Sequence, residues 1–136
     1  MKIKFLFQIK AVLNNRKAIK VVIKKIFSDY KVKFDFINII ICTDEYLRSI
    51  NQKYLKHDYY TDIITFDLSD TNHKIGEMYI SLDRVKENAR SLNIIHSGEL
   101  NRVIIHGILH LVGLKDKNIY HKTKMNSEED KYLKYL

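Results

Sequence analysis

Residues 99 to 114, ELNRVIIHGILHLVGL, form a predicted helix that is apolar on nearly every side. A surface helix needs only one apolar stripe, whereas a helix that is apolar all round has to be covered from several directions. The apolar positions are Val103, Ile104, Ile105, Ile108, Leu109, Leu111 and Val112. We therefore expect this helix at the centre of the fold, with other elements packed around it.

The rest of the chain supplies strands and amphipathic helices. Strand character marks residues 2 to 9, 33 to 42, 61 to 68 and 74 to 82. The polar stretch SDTNH between the last two runs predicts an antiparallel hairpin. Helices are predicted to begin at Asn14 or Asn15, at Thr43 or Asp44, at Asp83 and at Ser127. These elements predict an α+β fold: a single domain over residues 1–136, with a mixed sheet of about four strands, helices packed on its faces and the apolar helix at its centre.

Basic residues are concentrated at the N-terminus. The formal net charge is +8, from 24 Lys and Arg against 16 Asp and Glu. Residues 1 to 33 hold ten of the basic residues and one of the acidic, which leaves 14 basic and 15 acidic residues in the remainder. Such a segment suits a polyanion, and nucleic acid is the natural partner. AT-rich coding would produce the same lysine-rich composition without any functional cause.

The sequence also predicts where the protein works. No apolar run approaches the roughly 18 residues that a membrane span needs, and MKIKFLFQIK alternates as a strand does rather than forming a leader. Cys42 is the only cysteine, so no internal disulfide can form. We expect a cytoplasmic protein without membrane contacts, in which Cys42 has a plain packing role.

The central helix carries a candidate metal site. His106 and His110 are four residues apart, so their imidazoles lie one turn above the other on one face. Gly113 allows the chain to turn back at the end of the helix, which would bring Asp116 to the same point. Three protein ligands leave one tetrahedral position for water, as in catalytic zinc sites. The alternative is two hydrogen-bonded core histidines and an ordinary turn aspartate.

The motif differs from that of the zinc peptidases. In H-E-x-x-H a glutamate follows the first histidine and acts as the general base, whereas Gly107 stands at that position here. A peptidase would have to find its base elsewhere.

Three segments of the chain together resemble the YbeY family of bacterial endoribonucleases and rRNA maturation factors. HGILHLVG at 106 to 113 matches the family motif H-G-x-L-H-L-x-G. TDIITF at 61 to 66 and GEMYIS at 76 to 81 are similar to two family strands, in the same order and at similar spacing. The resemblance implies a metal-dependent endoribonuclease that cuts single-stranded RNA, matures small-subunit (16S) ribosomal RNA and takes part in ribosome quality control. It further implies one divalent ion per chain, with zinc expected, and the small ribosomal subunit or a ribosomal protein as a partner.

The chain departs from the family pattern at two positions. The third ligand is commonly histidine but is here Asp116, a harder ligand that loosens the preference for zinc. The arginine that often follows the tyrosine of N-x-x-Y-R is here Leu55, so a phosphate contact is missing. Lys53, Lys56 or His57 could supply the lost charge, although lysine offers a point charge rather than a bidentate fork.

Further candidates surround the site. Arg102 lies one turn before His106 and could orient a phosphate, or form a surface ion pair with Glu99. Thr61 and Asp62 could hydrogen-bond a ligating imidazole or cap a turn near the site. Tyr59 and Tyr60 could stack on unpaired bases, with packing as the favoured alternative.

Two other functions remain open from sequence. The first is a non-catalytic, metal-stabilised assembly factor that binds rRNA or a ribosomal protein, which the missing arginine favours. The second is a peptidase, which Gly107 disfavours. If the chain is a nuclease, the sequence does not distinguish attack by water from attack by the 2′-hydroxyl of the RNA.

Overall fold

Four strands form one mixed sheet in the computed structural model, which describes all 136 residues. The strands are β1 (Lys2–Phe7), β2 (Phe36–Cys42), β3 (Ile63–Asp67) and β4 (Ile75–Ser81). Their order is β1-β2-β4-β3, with β1, β2 and β4 parallel and β3 antiparallel to β4 at one edge. The predicted hairpin is confirmed, with Thr65 opposite Met78.

Five helices connect and cover these strands. They are α1 (Arg16–Asp29), α2 (Asp44–Leu55), α3 (Leu82–Leu92), α4 (His96–Leu111) and α5 (Ile119–Leu133). Side-chain caps begin three of them: Thr43, Ser81 and Asn118 each accept a hydrogen bond from the backbone N–H three residues on. The predicted α+β architecture is confirmed. None of the five helices has the length and apolar character needed to cross a membrane.

Helix α4 lies at the centre of the larger core, as predicted. It packs against α1, α3, α5, β3 and β4. The side chains of Ile37, Ile39 and Ile41 alternate along β2 and face this core, while Cys42 belongs to a small cluster with Leu47 of α2 on the opposite face. The larger core therefore lies on one face of the sheet, where α5 packs on the outside of α4, and α2 covers the other face.

The predicted start of the last helix at Ser127 is wrong, because α5 begins two turns earlier at Ile119. The side chain of Asn118 accepts a hydrogen bond of 2.8 Å from the backbone N–H of His121 and caps the helix there. Met125 is buried in the core and holds the first half of the helix against it. The acidic residues at 128 to 130 consequently lie in the second half of α5, where they do not serve its N-terminus.

Candidate metal centre

The end of α4 brings three potential ligands to one point. His106 and His110 lie one turn apart near the C-terminus of the helix. Gly113 then adopts a left-handed conformation with φ of +110°, and the backbone N–H of Leu114 donates to the carbonyl of Leu109 at 3.0 Å. This turn reverses the chain, so Asp116 reaches back to the imidazoles.

The three side chains place one atom each in a tight triangle. His106 Nε2 and His110 Nε2 are 3.0 Å apart, and Asp116 Oδ2 lies 3.3 Å and 3.2 Å from them respectively. A tetrahedral ion with ligand distances of about 2.0–2.1 Å keeps its ligand atoms about 3.3 Å apart. The three predicted ligands are therefore brought together at a spacing that could hold a metal ion.

Hydrogen bonds at the far side of each ring decide where the lone pairs point. His110 Nδ1 donates to the carbonyl oxygen of Leu114 at 3.0 Å, and His106 Nδ1 donates to Glu129 Oε2 at 2.6 Å. Carbonyl and carboxylate oxygens can only accept, so a neutral ring that makes the Nδ1 contact carries its proton on Nδ1 and leaves Nε2 bare. Two bare Nε2 lone pairs then face each other and a carboxylate oxygen. A cation at this point would offset the repulsion between these electron-rich atoms.

Charges around the triangle bear on its protonation. Burial opposes protonation of His106, but the hydrogen bond and charge of Glu129, with Asp116 and Asp62, raise its pKa above the ordinary value. Burial raises the pKa of Asp62, while the nearby His106 acts in the opposite direction. The site is thus a partly desolvated cluster in which carboxylates favour positive charge.

The triangle opens into a cleft of about 670 Å³ between α4, β3 and the end of α2. The lining residues outside the triangle include Asn51, Leu55, His57, Tyr59, Thr61, Asp62, Thr65, Asp67 and Lys117. Of these, His57 and Lys117 are the basic residues, and Lys117 had no role in the sequence-based predictions. Leu55 presents an apolar side chain where many relatives are expected to carry arginine.

The predicted cationic contacts separate into two groups. His57 lines the cleft, and its ring stacks on Tyr59 with centroids 5.2 Å apart. Lys53 and Lys56 are close to His57 in the sequence but do not line the cleft. Lys53 Nζ lies 5.2 Å from the ring centre of Tyr54.

The two tyrosines of this loop have different surroundings. Tyr60 packs between the guanidinium groups of Arg48 and Arg84, at 4.9 Å and 5.0 Å from the ring centre. Tyr59 is 54% exposed on the cleft wall. The favoured packing role therefore holds for Tyr60, whereas Tyr59 offers an open aromatic ring.

The expected imidazole partners need correction. Thr61 and Asp62 do lie at the site, but Thr61 Oγ1 donates to the carbonyl of Ile63 and Asp62 accepts from Asn88; neither bonds to an imidazole. Glu129 takes that role at His106. It lies in α5, 23 residues further along the chain, and its contact with His106 depends on how α5 packs against α4.

Arg102 also differs from its prediction. Its guanidinium donates to Glu129 Oε1 at 2.8 Å and to Asp130 Oδ1 at 2.7 Å, and the expected ion pair with Glu99 is not formed. It does not line the cleft.

One signal could have pointed to Glu129: it occupies a core-facing position between Met125 and Tyr132, where an apolar residue is usual.

Comparisons with known proteins point to one family. The family model described as Endoribonuclease YbeY matches residues 7–136. The chain is 47% identical over 114 residues to the endoribonuclease YbeY of Porphyromonas gingivalis, covering 84% of this chain and 76% of that protein. It is 43% identical over 121 residues to that of Parabacteroides distasonis, covering 89% and 85%. A solution structure of a Thermotoga maritima protein is similar at 29% identity with a TM-score of 0.62, covering 98% of this chain and 87% of that one.

Proposed function

This chain belongs to the endoribonuclease YbeY family and is an RNA-cleaving hydrolase, and we propose that its activity depends on one divalent metal ion held by His106, His110 and Asp116. The observation that carries the proposal is the triangle of ligand atoms, 3.0 to 3.3 Å apart, with both Nε2 lone pairs directed into it. Zinc is the proposed ion because it accepts two imidazoles and a carboxylate in a tetrahedral site. The harder carboxylate also admits other divalent ions.

The residues of the cleft would divide the remaining work. A bound divalent ion supplies Lewis-acid chemistry, acidifying water or polarising a phosphoryl oxygen near neutral pH. Lys117 and His57 are the basic side chains on the cleft walls outside the triangle, and we assign them to the phosphate whose bond is cleaved. Lys53 and Lys56 lie outside the cleft and are assigned to flanking phosphates. Arg102 is engaged by two carboxylates, so we give it no substrate contact.

The cleft favours unpaired RNA as the substrate. Tyr59 is half exposed on its wall and stacks with His57, so its free face can take a base that is not paired within a duplex. We further propose maturation of small-subunit ribosomal RNA and ribosome quality control in the cytoplasm as the biological setting. That setting rests on the family and not on the geometry of the cleft.

The fold argues against the peptidase alternative. Gly107 faces the sheet, and a side chain there would meet Met78 and Ile63. A glutamate at this position would have no room to act as a general base.

Metal content of purified, untagged protein tests the site first. We expect about one ion per chain in the parent protein, and its loss in His106→Ala and Asp116→Ala, because two remaining ligands hold zinc weakly. His96→Ala is the matched control, since His96 lies on the same helix but outside the cleft. Plasma mass spectrometry provides the measurement. Metal retained in both ligand variants would refute the assignment.

Cleavage then separates catalysis from binding. We expect the His110→Ala variant to bind a single-stranded RNA but to cleave it no faster than background. We expect the parent protein to cleave the single-stranded RNA and to leave the same sequence uncut when it is paired in a duplex. A non-catalytic assembly factor would bind the RNA and show no cleavage that depends on His110. Product ends decide the nucleophile, because attack by the 2′-hydroxyl leaves a 2′,3′-cyclic phosphate and attack by water does not.

A further inference from the structure

Glu129 is a buried side chain that contacts the proposed ligand His106 at Nδ1, the ring nitrogen that points away from the triangle. It is 4% exposed, and each carboxylate oxygen has one partner: Oε2 accepts from His106 Nδ1 at 2.6 Å and Oε1 accepts from Arg102 Nη1 at 2.8 Å. We propose that Glu129 is a positioning residue, which holds the ring of His106 in the tautomer that can bind a metal. This inference rests on the proposed function.

The chemistry of the contact gives Glu129 its effect. A neutral imidazole can carry its proton on either nitrogen, and only the form with a bare Nε2 can ligate an ion from this ring orientation. An ionised carboxylate has no proton to donate, so it stabilises the Nδ1–H form alone. Carboxylates that hold a ligating histidine in this way also orient its ring and increase its basicity.

Arg102 fixes the carboxylate in turn. Its guanidinium bridges Glu129 and Asp130, which are neighbours on α5 but differ in surroundings. Asp130 is 63% exposed and does not contact an imidazole, whereas Glu129 is enclosed between α4 and α5. With Oε1 held by Arg102, the carboxylate presents Oε2 to His106 in one orientation.

The two imidazoles differ in the acceptor that each finds for its Nδ1–H group. His110 obtains the same tautomer from the backbone carbonyl of Leu114, which needs no particular side chain. His106 faces α5 instead, where Glu129 occupies a core position between Met125 and Tyr132. An apolar residue would pack there, and it would leave Nδ1 of His106 without an acceptor.

Glu129→Gln gives a sharp test because it keeps the shape and reverses the hydrogen-bonding preference. Arg102 can only donate, so it takes the amide oxygen and leaves the amide NH₂ against His106 Nδ1. That NH₂ donates to Nδ1, which moves the ring proton to Nε2 and removes the lone pair from the site. We expect zinc affinity to fall about 10- to 100-fold. Asp130→Asn, the matched control, should keep the parent affinity.

Two measurements address the proposal. Competition with a chromophoric chelator gives zinc affinity, and ¹⁵N NMR of the ring nitrogens in metal-free protein at pH 9 gives the tautomer of His106. We expect Nδ1–H in the parent and in Asp130→Asn, and Nε2–H in Glu129→Gln. Unchanged affinity and tautomer in a folded Glu129→Gln protein would overturn the proposal. Circular dichroism reports the fold of each variant.

The outcomes keep this inference apart from the proposed function. If the parent binds no zinc but the tautomer reverses in Glu129→Gln, the metal assignment fails while the role of Glu129 at the ring stands. If Glu129→Gln does not fold, the ¹⁵N NMR spectrum of the parent protein tests the proposal. An Nε2–H tautomer of His106 in the parent would contradict it.

Discussion

Leu55 changes the electrostatics of the cleft at the level of a single side chain. It presents methyl groups to the space beside the candidate ion, where arginine would have offered a bidentate fork to phosphate. Lys117 and His57 line the same space, and three aspartates, Asp62, Asp67 and Asp116, outnumber them. Under the proposed function, the cleft would therefore rely on a bound cation to attract a phosphate more than it would with arginine present.

Cys42 provides a prediction that concerns one buried thiol. Burial, with smaller contributions from Asp44 and Asp83, raises its pKa to about 12, and its Sγ donates to the carbonyl of Ile80 at 3.4 Å. At pH 8 the thiolate fraction is then about 10⁻⁴, against roughly a quarter for an ordinary cysteine. We expect the native protein to react with an aromatic disulfide reagent at least about 10³-fold more slowly than the urea-unfolded chain. Similar rates measured by absorbance would show that the thiol is accessible.

At the level of elements, the position of the three candidate ligands depends on the close approach of α4 to the sheet. Gly107 is buried against β3 and β4, and the absence of a side chain there lets the helix approach. The same approach places His106 and His110 beside the cleft wall formed by Ile63 and Thr65. The glycine of the motif is therefore a packing requirement rather than a source of flexibility.

Gly107→Ala tests this contact. An added Cβ would meet Met78 Sδ and stand 2.7 Å from Ile63 Cδ1, so the fully buried side chain of Met78 would have to shift within the core. Overpacking costs about 1–3 kcal/mol, which exceeds the gain of about 1 kcal/mol in helix propensity. We expect a lower urea midpoint of unfolding.

Gly98→Ala is the control within the same helix. Its Cβ would lie 3.6 Å from Ile95 Cγ1, an ordinary contact, so this variant should be about 0.4–1 kcal/mol more stable than the parent. Equal behaviour of the two variants would show that close approach at Gly107 is unimportant.

At the level of the whole molecule, the sheet order separates the basic N-terminal segment from the cleft. The basic N-terminal segment forms β1 and α1, while the cleft lies beside β3. With the order β1-β2-β4-β3 and neighbouring strands about 4.8 Å apart, these strands lie about 14 Å from each other. Basic residues at the β1 edge therefore do not line the cleft, and any contact they make with RNA lies away from the bond that is cut.

A bound ion should stabilise the fold as a whole. The ligands come from the end of α4 and the following turn, and Glu129 of α5 supports them, so binding favours the docked arrangement of both helices. At a free zinc concentration of about 100 times Kd, the free energy of unfolding should rise by about 2.7 kcal/mol, or roughly 10 °C in Tm. Differential scanning calorimetry with zinc or a chelator measures the shift. His106→Ala should lack it, and a parent protein with no shift would contradict the proposed site.

Local patterns in the sequence determined much of this protein. Alternating, apolar or β-rich runs predicted four strands, and apolar residues that recur every three or four positions predicted most helices. The spacing of His106, His110 and Gly113 indicated three converging ligands. These features depend on residues within one or two turns of each other, where backbone geometry alone fixes which side chains share a face. Motifs from three such segments also identified the family.

Only the tertiary structure decided the contacts between distant segments. The start of α5 at Ile119 depends on a polar cap and on burial of Met125, because its own residues show little periodicity. The support of His106 by Glu129, 23 residues away, and the capture of Arg102 by the same carboxylate exist only once α5 docks on α4. Such pairs are set by packing of helices around a core, and chain separation carries no information about them.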